Sequence, residues 1–229
     1  DVGGESTRPD ADGAPLDIEL DRVIPVIESV RKFSDVPISI DTTKAEVARQ
    51  ALRAGANLVN DVSALRFDNR MTDVLAATKA PVILMHMQGS PKTMQKQPFY
   101  HSLLSEILAF LEERIQYAVD HGVSRSQILV DPGIGFGKNV SHNLRLIRDL
   151  DLLHCLDRPI LLGASRKRFI GAVLDKSVDD REVGTAVANS FAIHAGVHIL
   201  RVHDVAYHRQ VVRMGDALRS CPDFGETTG

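Results

Sequence analysis

Apolar residues recur along the chain at two spacings. In residues 16–33, Leu16, Leu20, Val23, Ile24, Ile27 and Val30 fall at helical intervals, with Asp17, Glu19, Asp21, Arg22 and Arg31 between them; this predicts an amphipathic helix. Residues 36–40 form a short β-branched run that ends at Asp41, and Thr43 with Glu46 reads as a capping box opening a helix through Leu52. The same unit of strand, polar tip and helix recurs. Residues 57–59 end at Asn60 and Asp61 before a helix near 69–78, residues 80–85 end at His86, and residues 127–130 end at Asp131. Two more runs follow, 159–162 ending near Gly163, Ala164 and Ser165, and 197–200 ending at Arg201, Val202 and His203. Residues 101–121, with Leu104, Ile107, Leu108, Leu111 and Ile115 on one face, and the alanine-rich stretch 183–195 read as helices between them.

Short apolar strands that alternate with amphipathic helices imply parallel strands covered on both sides. With the strand end at Val2-Gly3-Gly4 counted, the α/β pattern has seven strand-helix units. It fits a (β/α)8 TIM barrel, typically of about 250 residues, without its first strand and helix; an open, doubly wound sheet of seven strands also fits. The opening Asp1-Val2-Gly3-Gly4 resembles the middle of an element, so the expectation is one barrel domain over residues 1–229 with a further unit ahead of residue 1.

Composition narrows the functions. The chain has 229 residues, 44% of them hydrophobic and 25% charged, as in ordinary globular proteins. A formal net charge of −3 leaves no basic excess for a nucleic-acid backbone. The two cysteines, Cys155 and Cys221, stand far apart and outside any metal-ligand pattern, which suits a reduced, cytoplasmic chain. Apolar runs fall well short of the roughly 20 residues that span a bilayer, so no membrane is expected.

The candidate chemistry lies at the strand tips. Asp41, Asn60, His86, Asp131, Ser165, Arg201 and His203 all occupy such tips, which converge on one mouth in a barrel. Each alone suits a helix cap or a buried hydrogen bond; acids and bases together are harder to assign to caps. Asp131-Pro132-Gly133-Ile134-Gly135-Phe136-Gly137-Lys138 couples a carboxylate to three glycines that permit close backbone approach. It matches neither a P-loop nor the dinucleotide fingerprint. The carboxylate can accept two parallel hydrogen bonds from a guanidine-like edge. Arg166, Lys167 and Arg168 place three cations after a strand, against the dipole of a following helix, which points to an anionic ligand. Arg201 and His203 alternate toward one side and suit a phosphate or pyrophosphate, with Asp204 capping the last helix. Ser6, Thr7, Arg8 and Pro9 add a hydroxyl and a cation on the first loop. Met85, Met87 and Met94 could wall a flat ring or fill core gaps. The nine histidines include no HExxH motif, so a protein-bound zinc is not expected.

Taken in order, Gly-Gly-Glu-Ser-Thr-Arg-Pro at 3–9, Ser-Ile-Asp-Thr at 39–42, Asn-Asp-Val at 60–62, Met-His-Met at 85–87, Asp-Pro-Gly-Ile-Gly-Phe-Gly-Lys at 131–138, Ser-Arg-Lys-Arg-Phe-Ile-Gly at 165–171 and Arg-Val-His-Asp at 201–204 closely resemble the dihydropteroate synthase family. The resemblance spans nearly the whole chain and favours the barrel over the open sheet. It implies a transferase of folate biosynthesis that joins 6-hydroxymethyl-7,8-dihydropterin diphosphate to 4-aminobenzoate and releases pyrophosphate. By the same resemblance, Asp131 holds the pterin edge with Asp41 and Asn60, Lys167 donates to a ring acceptor, and Met85 and Phe136 line the pocket. Gly163 and Val202 belong to the substrate-binding set; Arg201 and His203 take the diphosphate, with Thr7 at its rim. Arg8, Pro9 and the 165–168 segment lie near the aminobenzoate. Asp41, Lys167, Arg201 and His203 are the residues implied to act in catalysis.

The family also implies magnesium and a homodimer. Its magnesium-contacting asparagine belongs to a first-strand loop of Asn-Val-Thr-Pro-Asp-Ser-Phe type that has no counterpart in this sequence, so no metal ligand is assigned among these residues. Two other readings share the pterin-holding acids: a methyltransferase of the methyltetrahydrofolate type, which leaves the cations at 165–168 and 201–203 unused, and a non-catalytic pterin-binding chain.

Overall fold

The computed structural model describes residues 1–6, 13–89, 94 and 97–221. Among the described residues seven strands are each followed by a helix, with two between the sixth and seventh: β1 (Val2–Gly3), α1 (Leu16–Arg31), β2 (Ser39–Asp41), α2 (Ala45–Ala54), β3 (Leu58–Asp61), α3 (Met71–Thr78), β4 (Val82–Met85), α4 (Leu103–Asp120), β5 (Ile128–Asp131), α5 (Val140–Arg148), β6 (Leu161–Leu162), α6 (Arg168–Leu174), α7 (Glu182–His194), β7 (Ile199–Leu200) and α8 (Val205–Ser220). Strands β1 to β5 pair in sequence order, all parallel, and β6 pairs with β7 in parallel. A parallel bridge from Val130 to Ile160 carries β5 on to β6. Sequential, parallel, helix-covered strands are the connectivity of a (β/α) barrel.

The core lies between strands and helices. Ile40, Val59, Val82, Leu84, Ile128 and Val130 of the strands are fully buried against Val23 and Ile27 of α1, Val47 and Ala51 of α2, Leu75 of α3 and Ile107, Leu111 and Ile115 of α4. At about 25 cal/mol per Å² of apolar surface, each such side chain contributes about 1.5–3 kcal/mol. Burial therefore holds the strands in register and fixes where their tips fall.

Two local expectations are corrected. Thr43 and Glu46 form no capping box: α2 begins at Ala45 without a side-chain cap of its own, and Asp68 Oδ2, from the next unit, accepts from Ala45 N at 3.0 Å. Glu46 is occupied instead by Arg49 and Gln50. On α1, Glu19 is fully buried and Leu16 is exposed. The reason is the tip of β2, where Thr42 Oγ1 donates to Glu19 Oε1 at 2.6 Å and Lys44 bonds the other oxygen, giving the carboxylate partners inside the protein. The Asp204 cap is present, with Oδ1 accepting from Tyr207 N at 2.9 Å.

Candidate active site

Strand register builds the site. Gly3, Asp41 and Asn60 stand side by side on β1, β2 and β3, and Met85 stands beside Asp131 on β4 and β5. Close by, a small, narrow cleft is lined by Asp41, Asn60, Val62, Met85, Asp131, Ile134, Phe136, Gly163, Lys167 and Arg201. Eight of these ten were singled out from the sequence. Val62 and Ile134 were not; both are apolar residues just after a polar tip, a place the alternation of strand and helix leaves unmarked. A larger hollow between α2 and α3, lined by Arg53, Asn57, Lys79 and Pro81 among others, lies at the opposite ends of the strands and holds none of these groups.

The loop after β5 forms one wall. Asp131 Oδ1 accepts from Gly133 N at 2.7 Å, and Gly135 N donates to Asn143 Oδ1 at 2.7 Å. Gly133 has φ +71°, and a Cβ there would lie 1.9 Å from the His86 carbonyl oxygen, so only glycine allows the two loops to meet. Phe136 packs on the buried group Val62, Met85, Met87 and Met94. Lys167 Nζ sits 4.3 Å from the Phe136 ring centroid and donates to Ile134 O at 2.8 Å. Of the methionines, Met85 reaches the cleft, while Met87 and Met94 fill space behind it.

The opposite rim is charged. Arg201 Nε donates to Asp1 Oδ2 at 2.7 Å, and Nη2 lies 3.3 Å from Asp41 Oδ2. Burial is the dominant influence on Asp41 and pushes it to about 6; Arg201 and Lys167 oppose that rise, while Asp61 and Glu19 add to it. Burial also raises Asp131, opposed by the Gly133 amide and by Lys167, Lys138 and Arg201. It lowers Lys167 to about 8 against the pull of Asp131. Asn60 Oδ1 is buried without a hydrogen-bond partner among the described residues. A buried acceptor left open in a cleft needs a donor from a ligand or from water.

Several predicted residues fall elsewhere. His203 and Val202 do not line this cleft; His203 Nδ1 lies 2.8 Å from Ser165 Oγ, and its backbone N–H donates to the same hydroxyl at 3.3 Å. His86 turns inward to Lys138. The three cations separate: Arg166 Nε donates to Glu182 Oε2 at 3.0 Å, Lys167 enters the cleft, and Arg168 starts α6 exposed to solvent. Asp61 belongs to a turn, accepting from Ser63 N, Ser63 Oγ and Leu65 N. Thr7, Arg8 and Pro9 lie outside the described residues. Among those described, no three His, Cys, Asp or Glu side chains are grouped to hold a metal ion, and no helix is long and apolar enough to cross a membrane.

One open buried acceptor, Asn60 Oδ1, two carboxyls and two cations gathered in one small cleft suit a barrel enzyme site for a ligand that donates hydrogen bonds and carries negative charge. The comparisons agree. The family model for pterin binding enzymes matches residues 1–203. The dihydropteroate synthase of Synechocystis sp. is 47% identical over 219 residues, covering 95% of this chain and 76% of that protein. That of Haemophilus influenzae is 43% identical, covering 95% and 78%. Among solved structures, Yersinia pestis dihydropteroate synthase in complex with a sulfonamide drug superposes with a TM-score of 0.92 at 40% identity, covering 95% of this chain and 78% of its own. Xanthomonas albilineans dihydropteroate synthase with 4-aminobenzoic acid gives 0.90 at 41%, covering 96% and 78%. The chain belongs to the family of pterin binding enzymes, and its fold is the TIM barrel of that family.

Proposed function

We propose that this chain is a transferase that condenses 6-hydroxymethyl-7,8-dihydropterin diphosphate with 4-aminobenzoate to give 7,8-dihydropteroate and pyrophosphate. The observation that carries this reading is the unpartnered Asn60 Oδ1 in a cleft with Asp131, Asp41, Lys167 and Arg201. Asp131 and Asn60 accept from the amine and ring N–H of the pterin, and Lys167 donates to a ring acceptor. Met85, Phe136, Val62 and Ile134 supply apolar contact to the ring, and Gly163 adds wall without bulk. Arg201 and His203, with Val202 between them, receive the diphosphate, a role the resemblance extends to Thr7.

The C–O bond breaks first, with its electron pair leaving on pyrophosphate. The cation-like methylene is stabilised by the pterin and by the Asp41 carboxylate. The arylamine, which the resemblance assigns to Arg8, Pro9 and the 165–168 segment, forms the N–C bond and gives up a proton. Charge develops on both fragments and fixed charges meet it, so no protein nucleophile is required. Magnesium, which the resemblance implies, would be held largely by phosphate oxygens and would offset their charge; among the described residues no three His, Cys, Asp or Glu side chains are grouped to hold it. The reading includes a cytoplasmic location and a homodimer. Val183, Val187 and Phe191, four residues apart on α7 and 68%, 55% and 53% exposed, form an apolar stripe that a second copy would cover.

The test is mass-spectrometric detection of dihydropteroate after incubation with both substrates and magnesium. Product at a catalytic rate is expected. Pterin binding without product would leave a non-catalytic pterin-binding protein, and methyl transfer from methyltetrahydrofolate would favour the second enzyme reading. In calorimetry, Asp131→Asn is expected to weaken pterin binding at least about tenfold, or 1.4 kcal/mol; unchanged affinity would remove Asp131 from the pterin site.

A further inference from the structure

Lys138 closes the glycine-rich segment, yet its side chain is absent from the cleft. It is 3% exposed. Its ammonium donates to three acceptors, Gly133 O at 3.0 Å, Phe136 O at 3.1 Å and His86 Nδ1 at 2.9 Å. An ammonium has three donors and no acceptor, so these bonds use it completely and require His86 to accept at Nδ1 as a neutral ring protonated at Nε2. Burial and the neighbouring Lys138 and Arg66 charges hold His86 well below its usual pKa, consistent with that neutral form. The segment is gripped from two other sides. Tyr100 Oη donates to Gly137 O at 2.8 Å, and Asn143 Nδ2 donates to Lys138 O at 3.3 Å.

A buried ammonium without a direct carboxylate partner is costly and needs a compensating gain. Asp131, at the start of the same loop, supplies the opposite charge. Three cations favour its ionised form: Lys167, Lys138 and Arg201. Lys167 and Arg201 line the cleft, whereas Lys138 is buried outside its lining. The surrounding titratable groups are Asp131, Lys167 and His86, with His142 beside Lys138, Arg66 beyond His86, and Asp41 across the cleft.

We propose that Lys138 is a positioning residue: it ties the 133–138 loop to His86 so that Phe136 and Asp131 face the ligand, and, bound to the carbonyl of the same Gly133 whose N–H holds Asp131 Oδ1, it places its ammonium behind that carboxylate. This rests on the reading that Asp131 accepts from the pterin. Protonated Asp131 would lose the charge-assisted bonds to the pterin amine and ring N–H. Burial draws Lys138 down to about 7, and the Asp131 charge opposes that fall, so the coupling runs both ways.

The experiment measures the affinity of free 6-hydroxymethylpterin by fluorescence from pH 5 to pH 9 for the unaltered protein, Asp131→Asn, Lys138→Met and Lys138→Arg, with thermal melts to show that each is folded. Affinity of the unaltered protein should fall as Asp131 takes up its proton. Lys138→Met should move that midpoint up by about one pH unit, and Lys138→Arg should bring it back toward the original value. An equal loss of affinity at every pH, with the midpoint unmoved, would assign Lys138 to packing alone and overturn the electrostatic role. Unchanged affinity in Asp131→Asn would instead overturn the pterin reading on which the proposal rests. Should Lys138→Met not fold, lysine-selective NMR of Asp131→Asn reads the same coupling in reverse. The Lys138 ammonium should then titrate at lower pH, and an unmoved titration would sink the proposal.

Discussion

Asp41 carries opposite demands on stability and activity, and Asp41→Asn separates them. Burial raises this carboxyl from 3.8 to about 6, which at 1.36 kcal/mol per unit corresponds to about 3 kcal/mol. Between the unfolded value and about 6, the folded chain holds a proton that the unfolded chain has released. Folded and unfolded proton binding thus differ in the sense that makes stability fall as pH rises through this window, and the full penalty remains above it. Asparagine keeps the shape and removes the ionisation. The variant is therefore expected to gain about 1–3 kcal/mol at pH 8, a figure already net of the opposing pull of Arg201, which lies 3.3 Å away and is half exposed. For a chain of this size that is about 2–12 °C in Tm, and the gain should shrink toward pH 5. Turnover should move the other way, by about 100-fold or more, because the developing positive charge on the methylene loses its counter-charge. Scanning calorimetry at pH 5 and pH 8, with steady-state rates on the same samples, measures both effects. A Tm gain of the same size at both pH values, or a loss at pH 8, would refute the desolvation argument.

Other substitutions probe other parts of the site. Arg201→Ala should weaken pyrophosphate binding in calorimetry while sparing free pterin, and equal loss of both would show that the two subsites have been misread. Gly133→Ala places a Cβ against the His86 carbonyl at a backbone angle of +71°; a loss of about 1–3 kcal/mol or more is expected in urea melts, and wild-type stability would mean that the two loops separate freely. Turnover of the unaltered chain should fall on the acid side as Asp41 protonates near pH 6, a limb that a pH profile would show and that Asp41→Asn should remove. Val187→Asp, in the middle of the α7 stripe, should shift sedimentation from dimer to monomer without changing the melt of the monomer.

The alternation of strand and helix was legible because burial on both faces makes each strand a short apolar run and each tip a change to polar residues. Tips such as Asp41, Asn60 and Asp131 could be placed to within a residue for that reason. Glu19 and Thr43 could not. Both looked ordinary in their own helices, and their roles are set by groups distant in sequence, Thr42 and Lys44 for Glu19 and Asp68 in place of Thr43. Lys138 is a related case. Its place in a motif was visible, but only the fold turns its ammonium behind the wall and onto His86, 52 residues away.

The cations at 166–168 show where linear reading stops. Composition alone makes them one patch, and a dipole argument makes that patch an anion site. The backbone divides it: Arg166 adopts a left-handed conformation with φ +55°, which turns its side chain toward Glu182, while its N–H donates to Thr185 Oγ1 at 3.1 Å. Glu182 is held in turn by His208 Nε2 at 2.7 Å, so α7 and α8 together fix the turn. Lys167 is thereby left to enter the cleft, and Arg168 begins the next helix in solvent. One charge out of three serves the cleft, and the selection is made by a backbone angle whose support comes from helices that follow it in the chain. Charge at a strand tip therefore predicts function only together with the conformation of the residue that carries it.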